Sequence, residues 1–195
     1  MSVFNAQSLI SQLENEVQQT VANVQELLKL ENAMLNKQPA FGKWSIAQII
    51  EHLNSYNRYY LPEIKTALQK GLDEHIAYQE QYSSGWFGDY FTKMMQPKEG
   101  GKIANKMNAP KDHQPVAELD ARKVLNEFIA RQTDLLQYLQ QAHQTSMAKL
   151  RVPISISKFI KLKLGDTFRF LIAHQQRHFV QVNNTLQVIA PQTVA

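Results

Sequence analysis

Cysteine is absent from the 195-residue chain. That one absence removes disulfides, thiolate metal ligands and a cysteine nucleophile together, so any metal must bind through nitrogen or oxygen. No apolar run approaches the roughly 18 residues that a membrane span requires. Residues 1–30 carry Glu14, Glu16, Glu26 and many glutamines where a secretory leader needs a cationic start and an apolar stretch, so a cytoplasmic protein with no membrane partner is expected. Glycine and proline are sparse, seven of each, and they gather between residues 71 and 115. Neither sign of charge dominates: Lys and Arg number 21 against 17 Asp and Glu, a net charge of +4. A nucleic-acid binder concentrates its cations on one face beside aromatic residues, and no such arrangement is evident. The densest basic stretch is Lys149, Arg151, Lys158, Lys161 and Lys163. It reads as a solvated rim, with attraction of an anionic substrate toward a nearby pocket as the sharper alternative.

What is present is apolar material in helical rhythm. Hydrophobic residues make up 44% of the chain, enough for one continuous core, and a single domain over 1–195 is expected. Leu9, Leu13, Val17, Val21, Val24, Leu27, Leu28 and Leu35 recur at steps of three and four, which predicts a long first helix from Ala6 to about Asn36. Ser45 followed by Gln48 supplies a capping box for a second helix, whose stripe Ile46, Ile49, Ile50, Leu53, Tyr60, Leu61, Ile64 and Leu68 runs to Lys70 before Gly71 as a stop. Pro62 is expected to bend it. A long connection follows, with a short helix around Asp89 to Met95. Its cluster Trp86, Phe87, Tyr90, Phe91, Met94 and Met95 reads as core closure rather than a cofactor box. A third helix is predicted from Val116 to about Ala142, an extended segment over residues 152–156, and a fourth helix capped by Asp166 with the stripe Phe168, Ile172, Phe179, Val182, Leu186 and Ile189. The fold class is therefore all-α.

Two histidines on that last helix are four residues apart, so their rings lie one turn apart on the same face. At about 100° per residue from Phe168, His174 and His178 fall near 240° and 280°, at the border of the apolar stripe. On the second helix, counted from Ile46, His52 falls near about 240° and Tyr56 near about 280°, again beside the stripe. All three rings can point toward the bundle edge. A zinc-peptidase reading is excluded, because its glutamate directly after the first histidine is replaced by Gln175. His75, His113 and His143 lie in or beside irregular segments without a partner at ligand spacing and read as surface residues.

The run from Trp44 to Leu53, with Ser45, Gln48, Glu51 and His52, together with the run from His174 to Val182, resembles the DinB/YfiT-like superfamily. The resemblance extends from the first helix to Val182 and is strongest over 40–182. It implies an up-down-down-up four-helix bundle holding a divalent ion, zinc, nickel or iron among them, through one histidine of the second helix and two of the fourth. His52, His174 and His178 stand at those places. The chain departs from the pattern in the aromatic insertion at 83–110 and the lysine-rich linker before the last helix.

The resemblance further implies a thiol-dependent S-transferase joining a low-molecular-weight thiol to an electrophilic small molecule, with a metal-dependent hydrolase as the alternative and a non-catalytic metal- or ligand-binding bundle, or a bundle with an empty site, as the remaining readings. Three neutral imidazoles leave a coordination position open, and that separates catalytic from closed structural sites. Tyr56 is a candidate pocket hydroxyl and Arg177, with Gln181, a candidate anchor for an anionic group. The long amphipathic first helix is compatible with a homodimer.

Overall fold

The computed structural model describes residues 2–101, 103 and 107–190. The chain is mostly helical. Among the described residues there are six α-helices and two small antiparallel sheets of two strands each, so the helical expectation is met with additions that periodicity did not reveal.

Strand β1 (Val3–Asn5) leads directly into α1 (Ala6–Leu27), where the Asn5 side chain accepts from the Ser8 N–H at 2.9 Å and closes the first turn. The helix expected to reach Asn36 stops at Leu27. Arg122 explains the break: its guanidinium donates to the Leu28 carbonyl at 3.0 Å and to the Leu30 carbonyl at 3.4 Å, satisfying acceptors that a continuing helix would have used itself. A short α2 (Asn32–Asn36) then returns Leu35 to the core.

Helix α3 (Ile46–Asp73) begins with the expected capping box, Gln48 N–H to Ser45 Oγ at 3.2 Å and Ser45 N–H to Gln48 Oε1 at 3.0 Å. It continues through Pro62 and past the anticipated stop. Gly71 lies inside the helix because a Cβ there would sit 2.5 Å from Thr145 Oγ1; its role is close packing rather than termination. Strand β2 (Gln81–Ser83) pairs with β1, Phe4 opposite Tyr82. Helix α4 (Trp86–Met95) starts three residues before the expected Asp89 and packs on α6 (Leu164–Ile189).

Helix α5 (Ala121–Gln141) starts later than Val116, where the Asp120 side chain accepts from Lys123 N–H. The extended segment before the last helix is one arm of a hairpin, β3 (Arg151–Ile154) against β4 (Ser157–Lys163). Helix α6 follows β4 with no intervening loop. Asp166 does not cap it: Lys163 holds the cap position and Asp166 stands buried in the first turn, accepting from the Tyr82 hydroxyl, the Ser84 hydroxyl and the Gly85 N–H.

Helices α1 and α3 each pack against both α5 and α6. The buried side chains form two apolar clusters, one around Leu13, Ile64, Leu135 and Phe168, the other around Val24, Ile50, Phe128 and Phe179. At the level between them each of these helices buries polar side chains: Thr20, Asn54 and Asn57, Gln132, and His174 with Gln175. That polar level holds the site. The six-residue aromatic and methionine cluster does not close the core as a unit: Met95 is buried, but Trp86, Phe87 and Tyr90 are more than half exposed. None of the described helices is long and apolar enough to cross a membrane.

Candidate metal centre

The polar level opens on one side into a cavity of about 460 Å³, well within the range of small-molecule sites. His52 of α3 and His174 and His178 of α6 line its floor. His174 Nε2 lies 3.3 Å from His52 Nε2 and 3.1 Å from His178 Nε2. The three ligand-type nitrogens all fall within 4.8 Å of one another. The pairing of α3 with α6 and the i, i+4 spacing on α6 are what bring the rings together.

The hydrogen bonds around the rings fix where the protons sit. His52 Nδ1 is 2.7 Å from the His113 carbonyl, which can only accept, so Nδ1 carries the proton and Nε2 presents its lone pair inward. His178 Nδ1 lies 3.0 Å from Gln181 Oε1, again an acceptor, with the same result. His174 is different: its Nδ1 is buried and has no partner among the described residues. A proton on His174 Nε2 can satisfy only one of the two neighbouring lone pairs. A cation held by all three satisfies both. Adjacent nitrogens bound to one ion at about 2.0–2.1 Å with tetrahedral angles stand about 3.4 Å apart, close to the spacing found here. The residues present fit a divalent ion.

Burial drives the His52 imidazole down to about 4, against the opposing pull of its hydrogen bond to the His113 carbonyl. Burial and the adjacent His52 ring lower His178 to about 3, and burial with the rings of His178 and His52 holds His174 well below the usual imidazole range. At neutral pH all three are uncharged and nucleophilic at nitrogen, the state in which imidazole binds metals.

His113 is the residue that periodicity misplaced. It was expected at the surface, yet it is 7% exposed, its ring stacks on Tyr56 at 3.9 Å, and its Nδ1–H donates to Ser55 Oγ at 2.9 Å while Ser55 donates to the His52 carbonyl. His52 and His113 therefore hold each other reciprocally, ring to carbonyl and ring through hydroxyl to carbonyl. Its position between Pro110 and Pro115 was the only sequence hint, and it carries no spacing. His75 and His143 are exposed as expected.

Tyr56 lies between His52, His113 and His174, with ring centroids 5.1, 3.9 and 4.4 Å away. Burial, reinforced by Tyr60, pushes its hydroxyl up to about 12, so it stays protonated. Arg177 and Gln181 line the cavity, with Arg177 7% exposed, and Lys43 joins them. The basic stretch before α6 serves no part of this cavity. Lys149, Arg151, Lys158 and Lys161 line a separate hollow beside Lys70 and Glu63, and the Lys163 ammonium donates to the Ser83 carbonyl.

The chain is thus a mostly helical protein that gathers one imidazole from α3 and two from α6 around a common point. More particularly, a family model of the DinB superfamily matches residues 16–182, and the chain belongs to that superfamily. Comparison with curated proteins and with solved structures gives no match.

Proposed function

We propose that the protein is a metal-dependent enzyme whose divalent ion, zinc, nickel or iron, is held by His52, His174 and His178, and that it transfers an electrophilic small molecule onto the sulfur of a low-molecular-weight thiol. The observation that carries this reading is the convergence of three neutral imidazole nitrogens, two of them locked by the His113 carbonyl and the Gln181 amide with their lone pairs facing inward. The four long helices fit an up-down-down-up bundle around this site: α1 and α6 pass from the first apolar cluster to the second, α3 and α5 the opposite way.

A divalent ion with an open position supplies Lewis acidity that lowers the pKa of a thiol or water placed there. The chain's own residues do the remainder. Arg177 and Lys43 give the cavity a positive wall suited to the carboxylates of small cellular thiols. Tyr56, protonated and lining the cavity, would donate to a departing group. In the transfer a sulfur–carbon bond forms, the bond from carbon to the leaving group breaks with its electron pair, and the thiol proton passes to solvent. Thiol transfer is placed ahead of hydrolysis because Arg177 and Lys43 line the cavity and no carboxylate stands among its described lining residues, a wall that suits an anionic thiol.

Elemental analysis of purified protein, followed by turnover of a model electrophile with a panel of small thiols, tests the reading. One ion per chain and metal-dependent thiol conjugation abolished in His178→Ala are expected. Protein that binds no ion stoichiometrically, or metal-loaded protein that conjugates no thiol, overturns it.

A further inference from the structure

Beside the histidine cavity lies a second, smaller one of about 150 Å³. Its walls are almost wholly apolar: Tyr60 of α3, Phe91 and Met94 of α4, Ile154 and Leu162 of the hairpin, and Phe170 of α6. Tyr56 and Met95, with the segment around Met107 and Pro110, border both spaces, so the two are neighbours across a shared wall.

The helices explain why the chemistry changes from one space to the next. On α6, Phe170, His174 and His178 form one row at successive i, i+4 steps; on α3, His52, Tyr56 and Tyr60 form another. The rows face each other, His52 toward His174 with ring centroids 5.2 Å apart, Tyr56 toward His174 at 4.4 Å and Tyr60 toward Phe170 at 5.9 Å. One helical turn therefore separates the nitrogen donors from an apolar wall headed by Tyr60 and Phe170, a step of about 6 Å along the axis. The hairpin side of that wall is pinned rather than loose: the Ser155 N–H donates to the Tyr60 hydroxyl at 3.2 Å and the Tyr59 hydroxyl donates to the Ile154 carbonyl at 3.0 Å. An apolar space of about 150 Å³ is the size that accepts a benzene ring.

We propose that this slot is the specificity site for the electrophile and receives a phenyl or short branched-alkyl group joined by a few bonds to the carbon that reacts at the histidines. The methionines at its mouth let it adjust to ring or branched shapes. The slot's occupant being part of the substrate rests on the transferase reading; its affinity for an apolar group does not.

Two experiments separate these. In the first, metal-free protein labelled at the methionine ε-methyls is titrated with toluene. Saturable shifts of the Met94 and Met95 signals are expected in the native protein, weakened at least about tenfold in Leu162→Phe and in Met94→Phe, which fill the slot from opposite sides. In the second, metal-loaded protein is given a benzyl and a methyl electrophile with the same leaving group. The native protein is expected to prefer the benzyl compound in kcat/KM by about tenfold or more beyond their solution reactivities, a preference that falls toward one in both filled variants. Circular dichroism identifies a variant that fails to fold, and the other then carries the comparison. Toluene shifts without any transfer leave the slot standing and remove the enzyme reading. Transfer with no toluene shifts and no benzyl preference removes the slot alone.

Discussion

Helix α6 carries two buried polar clusters little more than a turn apart, and they are built on opposite principles. At its start, Asp166 accepts from Tyr82, Ser84 and the Gly85 N–H, and Arg169 donates to Ser84 and to Asp89 while lying over the Phe4 ring at 4.5 Å. Every one of these charged groups is answered by a partner, and together they fasten β1, β2 and α4 to α6. Further along, His52, His174 and His178 turn lone pairs toward one another and leave His174 Nδ1 unanswered among the described residues. Burying polar atoms without partners costs stability. The first cluster is complete within the chain; the second, among the described residues, is not.

Removing one member of each cluster breaks the comparison most sharply. Asp166→Ala leaves Arg169 buried beside an unfilled space, 8% of its side chain exposed, and is expected to destabilise by about 3–5 kcal/mol, a drop in Tm on the order of 10 °C. His174→Leu removes Nδ1, which lacks a partner among the described residues, together with Nε2, which in metal-free protein can answer one neighbouring ring nitrogen. It is expected to change the Tm of metal-free protein by the equivalent of less than about 1.5 kcal/mol while abolishing stoichiometric metal binding. Thermal unfolding and elemental analysis of both variants check this, and a severe loss of metal-free stability in His174→Leu would show the histidines to be structural.

Acid separates the clusters next. The histidines fold with pKa values near 4 and 3, below the ordinary 6.5, so their neutral burial is favourable above about pH 6.5. As the pH falls below that value the unfolded chain takes up protons that the native site refuses, and stability declines until the folded values are reached. Asp89 behaves likewise at lower pH. Burial raises its carboxyl, but hydrogen bonds from Lys93, Ser2 and Arg169 prevail and hold it at about 2, below the ordinary 3.8. Its contribution is full above about pH 4 and lost toward pH 2. Tm measured against pH on metal-free protein is expected to fall in two windows, and in His174→Leu only the upper one becomes shallower, since one of three neutral rings is gone while His52 and His178 remain.

How much of this the sequence disclosed follows from the range of the interactions. The capping box at Ser45 and the faces of α3 and α6 that carry the histidines are set by spacings of three and four residues, and these were readable. Asp166 resembled a helix cap because the type of residue fits, but its partners at Tyr82, Ser84 and Gly85 are more than eighty positions away. The break after Leu27 depends on Arg122, equally remote. Strand β4 was hidden because its exposed lysines, one arm of a hairpin, give no apolar alternation. His113 was missed because it acts through its carbonyl, which every residue type possesses, and through a ring stack that no periodicity encodes.

That last pair of locks, the His113 carbonyl and the Gln181 amide, gives the gentlest test of the comparison. Gln181→Leu removes the acceptor that holds the His178 proton on Nδ1, freeing the ring to turn and to protonate the inward nitrogen. Ser55→Ala removes the hydroxyl that joins the His113 ring to the His52 carbonyl, loosening the segment that presents the His113 oxygen. Each is expected to weaken metal binding by about 10- to 100-fold without abolishing it. The Tm of metal-free protein should barely move in Gln181→Leu, since this residue is only half buried. Competition titration against a chromophoric chelator measures both. An unchanged affinity in Gln181→Leu would mean that His178 is oriented by packing alone, and the tautomer argument would then hold for His52 only.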